Sequence, residues 1–272
     1  MSEQLQSQPV PQNSVPGGAP QKDVILRTEK VTVGFGRKII LENLDLEVFR
    51  GELLGFVGGS GTGKSVLMRA ILGLVPMRSG RVEVFGFDLK NLSEQDRTAI
   101  DQRWGVLFQH GALFSSLTVR QNIQLPMREH LNLSEALMNE LALLKLSLVG
   151  LPRDAADKFP SELSGGMIKR ASLARALALD PEIVFLDEPT SGLDPIGAAA
   201  FDNLIMKLRE TLGLTVYMVT HDLDSLHKAC DRIAVLGDRK VLVEGPLEEL
   251  LDYPHPWVQE YFRGERSIRL NR

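Results

Sequence analysis

The chain has 272 residues, a formal net charge of −4, 43% hydrophobic and 24% charged residues, and a single cysteine. This length suggests one or two domains with a core that needs no covalent cross-links. The slight negative charge argues against a nucleic-acid footprint, and one cysteine excludes an intrachain disulfide framework. The sequence carries neither a signal-peptide pattern nor an apolar run of membrane-spanning length, so we expect a cytosolic protein.

The N-terminal part divides into a polar tail and an antiparallel β region. Residues 1–22 are rich in Gln, Pro, Ser and Gly, which predicts a disordered tail because too little apolar surface is available to bury. Residues 24–49 alternate apolar and polar side chains, as antiparallel strands do, around a turn at residues 34–36. Phe35 lies in this turn. Its position allows either a core ring or a ring that stacks on a purine.

A glycine-rich loop follows, and the chain is organised around it. Residues 58–65, Gly-Gly-Ser-Gly-Thr-Gly-Lys-Ser, fit the P-loop pattern G-x-x-x-x-G-K-[ST]. They lie between an apolar run of strand length and apolar residues at helical spacing. Glycines let backbone N–H groups point at phosphate oxygens, and the helix N-terminus adds positive charge. We expect Lys64 to reach the β- and γ-phosphates and Ser65 to ligate Mg²⁺.

Polar side chains follow three predicted strands at the point where each strand ends. Gln109 follows residues 104–108, Asp187 and Glu188 end a buried strand, and His221 follows residues 214–219. Ligands of open α/β sheets lie beyond the carboxyl ends of strands, so we expect these groups to meet. Asp187 suits a Mg²⁺-associated acid and Glu188 a base that polarises water. The alternatives are a solvated strand end and a structural histidine.

Residues between about 110 and 180 predict a helical subdomain inserted in the α/β core. Ser134 can cap a helix that Gly150 ends, and we expect its apolar face to serve packing. That predicted face consists of Leu137, Leu141, Leu144 and Leu148, and Leu143 and Leu146 widen it. Further along, residues 164–166 precede a second strong helix. Their free amides suit either an anion site or a plain helix cap.

The last third of the chain predicts a capped helix, two strands around a turn, a closing helix and a tail. Asp194 should cap a helix that runs to Leu212, and a hairpin should turn at residues 237–238. Residues 253–272 form the tail. We favour a frayed terminus, although Trp257, Tyr261 and Phe262 would also suit an aromatic anchor that docks on another subunit.

Together and in this order, the motifs resemble those of the ATP-binding subunits of ABC transporters over about residues 24–251. They correspond to the Walker A motif (Gly58–Ser65), the Q-loop (Gln109), the signature (Leu163–Met167), Walker B (Ile183–Asp187 with Glu188), the D-loop (Ser191–Asp194) and the switch histidine (His221). Two residues depart from the family pattern: Phe35 replaces a tyrosine, and Met167 replaces a glutamine. The Leu-Ser-Gly-Gly-Met signature and residues 108–114 resemble the Mla/Mce-type bacterial lipid-transport ATPases.

The resemblance implies a fold and a set of site residues. The fold is an α/β P-loop NTPase core with an antiparallel β region and the helical subdomain, within a domain spanning residues 23–252. Implied catalytic residues are Glu188, His221 and Gln109, and implied Mg²⁺ ligands are Ser65, Gln109 and Asp187. Implied ATP contacts are Phe35, Gly58, Gly59, Ser60, Gly61, Thr62, Gly63, Lys64, Ser65 and Val66. A second copy would reach the same ATP through Ser164, Gly165, Gly166, Met167 and Asp194.

The resemblance also implies partners, a location and a function, which is ATP binding and hydrolysis that energises a membrane transporter for a phospholipid or another hydrophobic lipid-like substrate. We expect a head-to-tail dimer, integral membrane permease subunits and a periplasmic or membrane-anchored lipid-binding protein of the Mce type. The expected place is the cytoplasmic face of the inner membrane, without a nucleic-acid partner. One rival is a non-transport ABC ATPase acting on DNA or ribosomes. The chain lacks the long coiled coil of the repair members and the second cassette of the translation factors. Another rival is a regulatory module without hydrolysis, against which Glu188 and His221 argue.

Overall fold

The computed structural model describes residues 23–263, so the predicted N-terminal tail lies outside the described residues. The strands in this range are β1 (Val24–Phe35), β2 (Lys38–Phe49), β3 (Leu53–Gly58), β4 (Ser79–Val84), β5 (Phe87–Asp88), β6 (Trp104–Leu107), β7 (Ile183–Asp187), β8 (Thr215–Val219), β9 (Arg232–Gly237) and β10 (Lys240–Gly245). The helices are α1 (Lys64–Ile71), α2 (Glu94–Asp101), α3 (Val119–His130), α4 (Glu135–Leu148), α5 (Gly165–Ala176), α6 (Pro195–Leu212), α7 (Leu223–Ala229), α8 (Leu247–Leu251) and α9 (Pro256–Arg263). Between residues 23 and 263, every helix is too short or too polar to cross a bilayer.

The strands form two sheets of different character. The first has the order β2-β1-β4-β5, and all its neighbouring strands pair antiparallel. The second has the order β10-β9-β3-β8-β7-β6, in which the strands from β9 to β6 run parallel and β10 pairs antiparallel at one edge. Strands β3, β7 and β8 are buried along their whole length, which explains why their sequences are continuous apolar runs.

The parallel sheet is buried on both faces because its side chains alternate between two hydrophobic clusters. On one face, the Tyr217 ring packs against the rings of Phe56 and Phe185, with a centroid distance of 5.6 Å to each. These three residues share a cluster with residues of the antiparallel sheet and of α1. On the other face, residues such as Val184 and Met218 pack against α3 to α6. This arrangement of an α/β core, an antiparallel sheet and a helical layer agrees with the predicted fold.

Helix α4 begins after Ser134 as predicted, but it buries a different face. The residues that it buries are Met138, Ala142, Lys145 and Leu146. Leu137 and Leu144, expected in the packed face, are 46% and 53% exposed. The predicted stripe was therefore wrong at these two positions, whereas Leu146 is buried in the core and Leu141, Leu143 and Leu148 pack partly buried against it. The helix packs against both α3 and α5.

The chain continues past α8 into an ordered helix where a frayed terminus was favoured. Val258 and Phe262 of α9 are buried in a cluster with Val57 of β3 and Leu250 of α8. The Gln259 amide also donates to backbone carbonyls at the end of α8, which anchors the helix. Fraying therefore does not describe residues 256–263. The arginines at positions 266, 269 and 272 lie outside the described residues.

Candidate functional site

The P-loop connects the carboxyl end of β3 to the first turn of α1. Its backbone must turn sharply, and Gly63 adopts a φ of 111° at the N-cap of α1. A Cβ atom at Gly63 would lie 2.7 Å from the Ile40 side chain, so no larger residue fits there without movement. The loop therefore keeps glycine at this position for both conformational and steric reasons.

Lys64 folds back over the P-loop. Its Nζ donates to the carbonyl oxygens of Gly58, at 2.8 Å, and Gly59, at 3.1 Å. Burial lowers the pKa of Lys64, and the nearby carboxylates of Glu188 and Asp187 act in the opposite direction. The ammonium group is thus held at the mouth of the loop, where phosphate oxygens can replace the two carbonyls as acceptors.

Ser65 and Asp187 join the P-loop to the end of β7. The Ser65 hydroxyl donates to Asp187 Oδ1 at 2.7 Å, and Asp187 is 1% exposed. A hydroxyl and a carboxylate are hard oxygen donors, which suit Mg²⁺ when phosphate oxygens and water complete the shell. No group of three or more His, Cys, Asp or Glu residues suited to a metal occurs within residues 23–263.

Glu188 and His221 meet at the same edge of the sheet. His221 Nδ1 lies 2.6 Å from Glu188 Oε2, and the Glu188 side chain is only 12% exposed. Glu188 has a φ of 50°, in the left-handed region, while its N–H donates to Val219 of the neighbouring strand. This strained turn aims the carboxylate at the cleft rather than along the strand.

Lys169 holds the backbone of two site residues, Gln109 and Glu188, although its sequence position gave little indication of this. It lies in α5, is 5% exposed, and its Nζ donates to the backbone carbonyls of Gln109 and Glu188. Burial lowers its pKa, opposed by the Glu188 and Asp187 carboxylates. The only sequence signal was a lysine inside an apolar helix. Its contacts join two loops that are 60 and 19 residues away along the chain.

Lys64, Ser65, Glu188 and His221 line one cleft of about 800 Å³, whereas Asp187 and Lys169 are not among its lining residues. Its lining residues are Phe35, Ile40, Gly58, Gly59, Ser60, Gly61, Gly63, Lys64, Ser65, Val66, Gln109, Glu188, His221, Trp257 and Tyr261. Phe35 is 53% exposed, so the alternative of a core ring does not hold. Gln109, Glu188 and His221 are brought together as the strand order predicts. Ile40 and the two aromatic residues of α9 were not anticipated.

The signature and D-loop residues lie apart from this cleft in the described chain. Ser164 caps α5 by accepting from the Met167 N–H, and Gly165 and Gly166 begin that helix. Asp194 Oδ1 caps α6 by accepting from the amides of residues 196 and 197. Among residues 23–263, these five do not line the cleft that holds the P-loop. One chain alone therefore does not unite the two sets of predicted ATP contacts.

The sequence matches the family model described as ABC transporter over residues 41–191, more than half of the chain. The chain belongs to the ABC transporter family. The predicted family, the ABC ATPase fold and the ATPase activity are confirmed.

Curated relatives and solved structures match a larger part of this chain than the family model does. The intermembrane phospholipid transport system ATP-binding protein MlaF of Haemophilus influenzae is 39% identical, covering 89% of this chain and 91% of that protein. A probable ribonucleotide transport ATP-binding protein, mkl, of Mycobacterium leprae is also 39% identical, covering 89% of this chain and 70% of its own length. A dimeric ATP-binding cassette in a post-hydrolysis state, bound to ADP and Pi, is 32% identical, with a TM-score of 0.75, and covers 82% of this chain and 98% of that one.

Proposed function

We propose that this ABC ATPase hydrolyses Mg²⁺-bound ATP between two copies of itself and thereby drives the transport of a phospholipid or similar lipid. The observation that carries the ATP chemistry is the cleft in which Lys64, Ser65, Glu188 and His221 converge on the P-loop.

The P-loop and Lys64 bind the phosphates. The amides of residues 58–65 surround the β-phosphate, and Lys64 exchanges its two carbonyl acceptors for β- and γ-phosphate oxygens. Phe35, exposed at the end of β1, stacks on the adenine ring. Stacking needs only a flat ring, so the missing tyrosine hydroxyl does not prevent it.

Glu188 acts as the general base, and His221 keeps it in position. The carboxylate accepts a proton from the water that attacks the γ-phosphorus, which requires the water to lie between Glu188 and the phosphate. His221 Nδ1, 2.6 Å from Glu188 Oε2, limits the carboxylate to one orientation. Gln109 faces the same cleft and orients the water or the metal shell. No covalent intermediate with the protein is needed.

Ser65, Asp187 and Gln109 would hold Mg²⁺ together with the phosphates. The Ser65 hydroxyl and the Asp187 carboxylate are already adjacent, and both supply the oxygen ligands that Mg²⁺ prefers. When bound, Mg²⁺ neutralises charge on the β- and γ-phosphates.

The second half of each ATP site comes from a second copy of the chain. Ser164, Gly165 and Gly166 carry the N-terminal amides of α5 and do not line the cleft of their own P-loop, and a Cβ atom added to Gly165 would meet no atom within 4 Å. A head-to-tail dimer brings these amides, Met167 and Asp194 onto the γ-phosphate side of the partner's ATP. The dimeric cassette among the solved relatives supports this arrangement.

Lipid is the favoured cargo, and ribonucleotide is the second candidate. The MlaF relative matches over 91% of its length, whereas the mkl relative matches over 70% of its length, at the same identity. The proposed complex contains integral membrane permease subunits and a Mce-type lipid-binding protein, with this ATPase peripheral on the cytoplasmic face of the inner membrane. A nucleic-acid partner is not part of the proposal, because the chain carries a net charge of −4.

Co-purification followed by reconstitution tests this function. The full chain is purified in detergent with its membrane partners, which are identified, and the complex is placed in vesicles containing a fluorescent phospholipid. We expect ATP-dependent lipid transfer that Lys64→Ala abolishes, because the phosphate contact is lost. ATP-dependent movement of ribonucleotides without lipid transfer would instead support the second candidate.

A further inference from the structure

The C-terminal helix α9 is fixed to the body of the chain in a way that leaves one face toward the nucleotide cleft. Val258 and Phe262 are buried against β3 and α8, and Arg263 pairs with Asp252 at 2.6 Å. Trp257 and Tyr261 are four residues apart and therefore share another face of the same helix. Both line the cleft together with the P-loop and Glu188.

The two rings form a unit that contacts the P-loop. The Trp257 and Tyr261 rings are stacked, with centroids 4.8 Å apart and planes inclined by 16°. Tyr261 also meets Phe262 edge to face, at 5.0 Å, so its ring is held on two sides. A Cβ atom placed on Gly59 would lie 3.7 Å from the Trp257 indole nitrogen. Two ordered aromatic side chains thus reach the beginning of the phosphate-binding loop.

The Tyr261 hydroxyl is shielded from solvent and has no hydrogen-bond partner within residues 23–263. Burial and the nearby Glu188 and Asp222 carboxylates raise its pKa, so the phenol stays neutral and remains a donor. A buried donor without an acceptor is unfavourable by about 1–3 kcal/mol, and such groups are rare in folded proteins. The cleft that it borders is where an acceptor can arrive.

We propose that Tyr261 contacts the nucleotide, donating its hydroxyl to an oxygen at the phosphate end of ATP or to water bound there, and that Trp257 positions it. The phosphate end is favoured because the Glu188 carboxylate lies near Tyr261, and because Trp257, which stacks on Tyr261, lies beside Gly59 of the P-loop. Phosphate oxygens are strong acceptors for a neutral donor. This inference rests on the proposed ATP function and adds a contact from the C-terminal helix to it.

The decisive variant is Tyr261→Phe, which removes the hydroxyl and keeps the ring. Calorimetry on the full chain with MgATP should show binding weaker by about tenfold, the loss expected for one hydrogen bond to a charged group. The melting temperature without nucleotide should not fall, because the lost hydroxyl had no partner. A residue with a merely structural role would show the reverse pattern.

Tyr253→Phe is the matched control. The Tyr253 hydroxyl donates to the Leu242 carbonyl at 3.0 Å and is absent from the cleft lining. Its loss should lower the melting temperature and leave ATP affinity unchanged. Wild-type ATP affinity in Tyr261→Phe would overturn the proposal. Failure of the wild-type chain to bind ATP would instead reject the proposed function itself.

Fluorescence gives a second test that needs no change at Tyr261. The chain has two tryptophans, and Trp104 is buried beside Phe185, remote from the cleft lining. In a Trp104→Phe background, emission from Trp257 should change on MgATP addition, with the affinity that calorimetry gives. An unchanged spectrum at saturating MgATP would show that α9 does not border the bound nucleotide and would overturn the assignment.

Discussion

Replacing Lys169 with methionine tests whether a buried lysine holds the two loops that carry Gln109 and Glu188. The side-chain length is kept, but both backbone carbonyls lose their charged donor. Hydrogen bonds to charged groups contribute about 1.5–3 kcal/mol each, so the gross loss is about 3–6 kcal/mol. Part is recovered because the buried ammonium no longer has to be desolvated, and that desolvation is the main cause of the lowered pKa of Lys169. We expect a net loss of about 2–3 kcal/mol.

The assay combines thermal unfolding with turnover per folded molecule. A net loss of about 2–3 kcal/mol should lower the melting temperature by about 5–10 °C for a chain of this size. Small displacements of Gln109 and Glu188 should reduce the rate of phosphate release by about 10- to 100-fold, since general-base geometry tolerates little misplacement.

Lys145→Met is the matched control for this prediction. Lys145 is also a buried helical lysine, 3% exposed, but it pairs with Asp180, whose side chain is 78% exposed, away from the cleft. Its loss should lower stability modestly, because Asp180 can be hydrated, and leave turnover unchanged. If Lys169→Met kept wild-type turnover and melting temperature, Lys169 would not hold the loops and the reasoning would be refuted.

Three further predictions concern the base, the adenine contact and a buried acid. Glu188→Gln keeps an acceptor for His221 but removes the base, so phosphate release should fall by about 10²- to 10⁴-fold while ATP remains bound to a trapped dimer. Phe35→Ala should weaken ATP binding in calorimetry by about 3- to 10-fold through lost stacking. Asp202 is 3% exposed, and burial raises its pKa from 3.8 to about 6. Asp202→Asn should therefore stabilise the protein at pH 7, by at most about 3 kcal/mol in urea unfolding.

Each of these has a distinguishing outcome. The control Glu94→Gln changes an exposed carboxylate on α2 and should leave phosphate release unaltered. If Glu188→Gln likewise left phosphate release unaltered, Glu188 would not be the general base. Unchanged affinity in Phe35→Ala would show that the exposed ring does not touch adenine. The pKa of Asp202 is higher in the folded than in the unfolded chain, so the buried charged carboxylate lowers the stability of the wild type above about pH 6. This loss of stability diminishes as pH falls from about 6 toward 3.8, where the acid is protonated in both states. The advantage of Asp202→Asn should accordingly disappear near pH 4, and a pH-independent advantage would contradict this origin.

Local sequence rules determined much of the fold. The P-loop between β3 and α1, the Asp194 cap and Gly213 end of α6, and the hairpin between β9 and β10 follow from residues a few positions apart. Glycine conformation, side-chain capping and turn chemistry act within such short segments, so a single sequence carries the information. The meeting of the polar residues that follow β6, β7 and β8 was also predictable, because the carboxyl ends of parallel strands lie at one edge of the sheet.

Tertiary structure alone decided features that depend on residues far apart in the chain. Helix α4 has leucines on more than one face, and only its packing against α3 and α5 selects Met138 and Ala142 over Leu137 and Leu144. Lys169 became part of the site because α5 passes behind two loops.

The C-terminal helix shows the same limit. An eight-residue segment rich in aromatics is too short to be a stable helix by itself, so its sequence favours a frayed end and leaves an anchor as the alternative. Its order arises when Val258 and Phe262 are buried against α8, which precedes it in the chain, and against β3, which lies far away in the sequence. That packing also turns Trp257 and Tyr261 toward the nucleotide cleft. The spacing of the aromatic residues can be seen in the sequence, but the surface of β3 and α8 on which α9 packs forms only when the chain folds.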